Sequence, residues 1–437
     1  MAVAGAIAAV VAAGSDAPAV APAAAHSSLP TTAAAPPRPP VLPALAADAP
    51  IPDPSALAAR LAPQAQRPSL GVGFGGEVVD VLTGTKLWAL HAGVAVPPAS
   101  TLKLLTASAA LRALGPEFRF VTTTERSGRT VYLVGGGDPT LRTSPPGARA
   151  YPRAPALAQL ARRTAAGLSG HAAVRLRVDA RAWTGPGRAR GWPKHYLTEG
   201  DVVRPSALQV DTRGAGDAAA MSPTQIGDRF ATMLRQLGVR VRGRVVDGAP
   251  GTAASRIAED RSAPLEELVQ RMLTVSDNDI AEALARAVAI HDGRPASFTG
   301  GAAAVLARMS TLAVPRRGLA LFDGSGLSRR DRVTPRALVA LLRVVAAPGQ
   351  PLLRPLLAGL PVAGLTGTLA DRYRTHSTAA AAGVVRAKTG TLTGVSSLAG
   401  LVVDRQGRLL AFAFVAPHAP QPATAETALD RLAASLR

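Results

Sequence analysis

The 437-residue sequence predicts an α+β fold: an antiparallel sheet with helices, interrupted by an inserted α/β region. Three observations predict it. Two apolar runs flank the turn TGT, so Gly71–Val81 and Lys86–His91 read as a hairpin. Near the C-terminus, GVVRAKTGTLTGVSSLAGLVVDRQGRLLAFAFVAP reads as a three-stranded meander with turns at Leu392–Gly394 and Arg405–Gly407. Between them, residues from about 121 to 262 alternate short strands with helical stretches such as ALAQLARRTAAGL and TQIGDRFATMLRQLGV. The expected division is a signal-like segment and linker over 1–67, a discontinuous domain over 68–120 and 263–437, and an inserted domain over 121–262.

The elements follow in order. MAVAGAIAAVVAAG is a 14-residue apolar run, too short for an ordinary spanning helix. It resembles the h-region of a secretory signal, although the first basic residue is Arg38. The reading is a cleaved signal or an anchor, with a plain alanine-rich tail as the alternative; a signal or anchor implies an exported protein of the cell envelope, and an anchor implies membrane association through this segment. The Ala/Pro-rich stretch to about residue 67 reads as a semi-extended linker. After the first hairpin, VPPASTLKLLTASAALRALG reads as a helix capped by Ser100. FRFVTTTERSGRTVYLVGGG is a second hairpin, turning at Ser127-Gly128. SAPLEELVQRMLTVSDNDIAEALARAVAI reads as two helices around a polar loop, with Asp279 capping the second and Glu282 completing a capping-box-like pair. TAETALDRLAASL closes the chain as a helix.

Composition narrows the chemistry. The net charge is +20, and the only lysines are Lys86, Lys103, Lys194 and Lys388. A GC-rich coding bias explains the arginines as well as a selected basic surface does. Scarce lysines, 3% aromatics and the lack of a binding motif argue against nucleic acid. With no cysteine, disulfides and thiolate metal sites are excluded. The seven histidines are scattered with no HExxH spacing, so a zinc hydrolase is not expected.

Three short motifs carry chemistry. Ser100 and Lys103 lie three apart, on one face of the expected helix. Such a pair also arises by chance, but a cation in the first helical turn opposes the helix dipole. Here Leu102, Leu104 and Leu105 surround it, and desolvation disfavours the ammonium form. A lysine neutral near pH 7 is a candidate general base for an adjacent serine. Ser276-Asp277-Asn278 reads equally as three turn formers, yet a cap at Asp279 leaves Ser276 and Asn278 to project from the loop. Lys388-Thr389-Gly390-Thr391 lies on an edge strand of the meander. There it serves edge protection, or binds an extended peptide and its terminal carboxylate.

S-x-x-K, S-D-N and K-T-G in this order form the signature set of class A β-lactamases and penicillin-binding proteins. With 176 positions between Ser100 and Ser276, and no clear Glu-x-x-Leu-Asn motif after it, the chain is unlike the compact class A enzymes. It resembles the low-molecular-mass class C penicillin-binding proteins, the D-alanyl-D-alanine carboxypeptidase/endopeptidase family. GGGDPTL, SDNDIAEALAR, DGSGLSRRDRVTP and LPVAGLTGTLADR match as well, so the resemblance runs from about residue 70 to the C-terminus. Asp331 stands where that family more often has Asn.

The resemblance implies the transpeptidase-like fold and a serine acyl-transfer mechanism that needs no metal or organic cofactor. Ser100 is the implied nucleophile and Lys103 its base. Ser276 and Lys388 complete a proton relay, and Asn278 holds the substrate amide. Thr389 and Thr391 hold the terminal carboxylate with their hydroxyls, Gly390 belongs to the same motif, and the N–H groups of Ser100 and Thr391 form the oxyanion hole. The implied partners are peptidoglycan stem peptides, with β-lactams as covalent inhibitors. A serine β-lactamase or esterase on the same fold, and an inactive cell-wall-binding protein, are the alternatives.

Overall fold

The computed structural model describes residues 48–147, 150–168, 173–212 and 220–437. The signal-like run and residues 15–47 of the expected linker lie outside the described residues. The remainder of that linker is a correction. Pro54–Ala65 forms helix α1, opened by Asp53, whose Oδ1 accepts the Ala56 N–H at 2.7 Å. Leu57 and Leu61, four apart, are buried, so one apolar stripe docks this helix despite its alanine-rich composition.

Strands β1 (Gly75–Asp80) and β2 (Lys86–Leu90) form the first hairpin and lead to helix α2 (Lys103–Leu114). Five strands then fall within 121–261: β3 (Val121–Ser127), β4 (Thr130–Val134), β5 (Arg175–Asp179), β6 (Val246–Asp247) and β7 (Ser255–Arg261). Helices α3 (Leu157–Gly167), α4 (His195–Thr198) and α5 (Pro223–Gln236) lie between them. Next come α6 (Leu265–Thr274), α7 (Asn278–His291), α8 (Phe298–Thr311), α9 (Pro335–Ala346) and α10 (Arg354–Gly359). The meander β8 (Arg386–Leu392), β9 (Val395–Val403) and β10 (Leu409–Ala416) precedes the last helix, α11 (Pro422–Ala434).

The strands make two sheets. One, ordered β2-β1-β10-β9-β8, is antiparallel throughout and joins strands from both ends of the described chain. The other, β6-β5-β4-β3-β7, is mixed and draws all its strands from 121–261. No residue of β10 beyond its first is even partly exposed, because helices cover both faces. Leu410, Phe412 and Phe414 pack towards α1 and α11, while Ala411, Ala413 and Val415 pack towards α2, α7 and α9. Sandwiched this way, the first sheet holds its edge strand β8 against the turn at Ala99–Leu102 that leads into α2. No single helix among the described residues is long and apolar enough to cross a membrane.

Candidate active site

Ser100 does not cap a helix. Ala99–Leu102 forms a 3₁₀ turn with no side-chain cap, and α2 begins at Lys103. The turn is held through the Pro98 carbonyl, which accepts the hydroxyls of Thr101 and Ser397, both at 2.7 Å. In 3₁₀ geometry, side chains three apart eclipse. Lys103 Nζ accordingly sits 3.0 Å from Ser100 Oγ.

Lys103 is fully buried, and its amine meets two further acceptors, Asn278 Oδ1 at 2.6 Å and the Ser325 carbonyl at 2.7 Å. The Asn278 amide is oriented by its own Nδ2, which donates to the Asp201 carbonyl at 2.7 Å. A neutral amine has two hydrogens and one lone pair. Asn278 Oδ1 and Ser325 O can only accept, so they take the two hydrogens. The lone pair is left facing Ser100 Oγ, the one neighbour with a proton to give. Burial pushes the Lys103 pKa down to about 8, against the pull of Asp323, Glu282, Asp277 and Asp279.

The Ser276–Asn278 loop carries a second correction. The cap of α7 is Asp277, whose Oδ1 accepts the Ile280 N–H at 3.1 Å, rather than Asp279. Asp279 instead accepts the Val203 N–H at 3.0 Å, and Glu282 is buried in contacts described below. Ser276 has a left-handed φ of 61°. Its hydroxyl makes no hydrogen bond among the described residues, so the structure joins Ser100, Lys103 and Asn278 directly but leaves Ser276 unconnected.

Lys388, Thr389, Gly390 and Thr391 lie on β8, the edge strand. The Ala387 N–H donates to Pro361 O on the outer side of the strand, so alternation turns the backbone groups of Thr389 and Thr391 to that side too. Lys388 is fully buried, and its amine donates to the Thr389 carbonyl at 2.8 Å. Burial, with the nearby charges of Lys103 and Arg372, pushes its pKa well down. Thr389 Oγ1 lies 2.8 Å from Thr368 Oγ1. The Thr391 hydroxyl donates to Glu426 Oε1 at 2.6 Å, so it faces α11 rather than standing ready for a substrate carboxylate.

Gly390 is where β8 touches the serine turn. A Cβ there would lie 2.3 Å from Ser397 Oγ and 2.9 Å from both Pro98 O and Ser100 N. Gly390→Ala must therefore push β8 away from Ser100. Acylation by a β-lactam is expected to slow about 100-fold, with a loss of roughly 1–3 kcal/mol in unfolding free energy. Stopped-flow acylation and urea melts check both; a variant with native kinetics refutes the close packing.

The model of the D-Ala-D-Ala carboxypeptidase 3 (S13) family matches residues 57–222 and 217–436. The chain belongs to that family. Over 425 residues it is 38% identical to carboxypeptidase Rv3627c of Mycobacterium tuberculosis, covering 92% of this chain and 89% of the relative. It is also 38% identical to carboxypeptidase DacB of Mycolicibacterium smegmatis over 397 residues, covering 89% and 85%. The fold resembles penicillin-binding protein 4 (dacB) of Haemophilus influenzae, with a TM-score of 0.71 at 23% identity, covering 87% of this chain and 98% of that one. This S13 chain is a serine-type D-Ala-D-Ala carboxypeptidase.

Several residues around the S13 site escape a reading by motif. Ser325 contributes only a carbonyl, which no side-chain pattern reports. Its turn is held by Asp323, which accepts the N–H groups of Ser325, Gly326 and Ser328 and the Trp192 indole at 2.6 Å. Asp331 accepts the Phe322 N–H at 2.7 Å. Burial beside Asp323 pushes its carboxyl well above the usual range. The DGSGLS resemblance pointed to this loop without saying what it held.

Proposed function

We propose that this carboxypeptidase removes the terminal D-alanine from peptidoglycan stem peptides through an acyl-enzyme on Ser100. The observation that carries the reading is the serine–lysine–asparagine contact, in which Asn278 Oδ1 and Ser325 O take the two hydrogens of a neutral Lys103 amine and its lone pair faces the Ser100 hydroxyl. Lys103 takes the Ser100 proton as Oγ bonds to the carbonyl carbon between the two D-alanines. The N–H groups of Ser100 and Thr391 receive the oxyanion. The C–N bond then breaks, the departing amine receives its proton through Ser276 and Lys388, and water hydrolyses the ester. The peptide lies along the open edge of β8, with its carboxylate near Thr389. β-Lactams acylate the same serine, and the enzyme works outside the cytoplasm, in the cell envelope. An intact serine–lysine pair disfavours the inactive cell-wall-binding alternative.

The test is release of D-alanine from an N-acylated peptide ending in D-Ala-D-Ala, combined with mass mapping of a penicillin adduct. An adduct on the peptide containing Ser100 is expected; an adduct elsewhere, or none, overturns the reading. pH supplies a further check. Lys103 must be neutral to act, and its pKa lies near 8, so the acylation rate rises with pH through about 8 and falls below it. A rate constant flat between pH 6 and about 9 contradicts Lys103 as the base.

A further inference from the structure

Glu282 was expected to close a capping box on α7, and it does something else. It lies one turn beyond Asn278 on that helix, 2% exposed, pointing into the molecule. Its Oε1 accepts the N–H groups of Gly324 and Ser325, each at 3.0 Å. Its Oε2 accepts from Arg286 Nη1 at 3.0 Å, and that guanidinium is itself 2% exposed, packed over the rings of Trp183 and Phe298. The peptide whose N–H it grips continues into the Ser325 carbonyl, which meets Lys103 Nζ at 2.7 Å. The neighbouring Gly324 carbonyl accepts the Thr106 hydroxyl at 2.6 Å, tying the same turn to α2.

We propose that Glu282 is a positioning residue for the serine–lysine pair: it fixes the turn whose Ser325 carbonyl aims the Lys103 amine at Ser100. This rests on the reading of Lys103 as the base. Two features separate the role from ordinary core packing. Asn278 and Glu282 stand on the same face of α7, so one rigid helix sets both acceptors of the amine. The carboxylate is also one of a defined set of charges around Lys103. Asp277, Asp279 and Glu282 face it from α7, Asp323 from the 322–328 turn, and Lys388 from β8. Asp323 and Glu282 both hold the turn and contribute charge, and of the two Glu282 shares helix α7 with Asn278. Its removal therefore changes the geometry of the amine and its proton affinity together.

The experiment measures the acylation rate of the full chain by a fluorescent penicillin from pH 5 to about 10, alongside thermal melts. Glu282→Gln keeps an acceptor for the two N–H groups but removes the anion. It is expected to slow acylation about tenfold or more at the plateau and to move the acidic limb down by about one pH unit. Glu282→Asp keeps the charge but shortens the reach, so it slows acylation without moving the limb. Should Glu282→Gln fail to fold around an unpaired Arg286, the doubly neutral pair E282Q/R286Q is expected to show the same loss of rate, with a smaller downward move of the limb because a cation leaves with the anion. Native rates and limb in the Gln variant overturn the proposal. So does a loss of rate that follows the melting temperature with the limb unmoved, since that marks a merely structural residue. Failure of the wild-type chain to acylate at Ser100 instead overturns the functional reading beneath it.

Discussion

Ser100→Ala is expected to leave a folded protein that takes up no penicillin and releases no D-alanine. The structural side follows from the turn. Ser100 caps nothing, and the contact reported for its hydroxyl is the 3.0 Å approach of Lys103 Nζ. Losing it costs about 1 kcal/mol at most, because Lys103 keeps Asn278 and Ser325. The 3₁₀ turn survives, since Pro98 is still held by Thr101 and Ser397. The chemical side is absolute in kind: among the described residues no other hydroxyl meets the Lys103 amine. Turnover is expected to fall by a factor on the order of 10⁴ or more. Gel fluorescence after penicillin labelling and a thermal melt give the two readouts. A variant that labels like wild type sinks the assignment of the nucleophile.

Lys103→Met is the second large effect. Methionine is an unbranched apolar side chain close to lysine in length, so the fully buried position of Lys103 stays filled. Asn278 Oδ1 and Ser325 O lose their donor, a penalty of about 1–3 kcal/mol each. Relief from burying an ammionable group offsets part of that. Acylation is expected to slow by roughly 10²–10⁴, and the residual rate should no longer rise through pH 8. Lys103→Arg distinguishes base from charge, because a guanidinium stays protonated at every accessible pH. It should be as slow as the methionine variant. An arginine variant with near-native acylation would show that Lys103 acts only as a cation.

Legibility along the chain followed the range of the interaction involved. Both hairpins, the meander and the closing helix were readable because alternation and turn residues are local signals. Helix α1 was missed because its alanines and prolines mimic a linker. Only the docking of Leu57 and Leu61 against the first sheet makes it a helix worth forming. The caps at Ser100 and Asp279 failed for a related reason. Each residue is a favoured cap, but Ser100 lies in a 3₁₀ turn facing Lys103 and Asp279 is held by the distant Val203 N–H. Local propensity was overridden where the site needed the side chain.

Sequence alone singled out the candidate reacting groups. Ser100, Lys103, Ser276, Asn278 and Lys388 sit in motifs that resemble those of the penicillin-binding proteins, and burial of Lys103 was expected from its leucine neighbours. Tertiary structure decided which of those groups meet and how. It turned Ser100 and Lys103 into an eclipsed pair and brought in Ser325 O from more than 200 residues away in sequence. It gave the Thr391 hydroxyl to Glu426 and set Glu282 behind the base. The physical reason is that a motif records side-chain chemistry, whereas proton affinity and aim depend on backbone carbonyls and buried charges that only packing assembles.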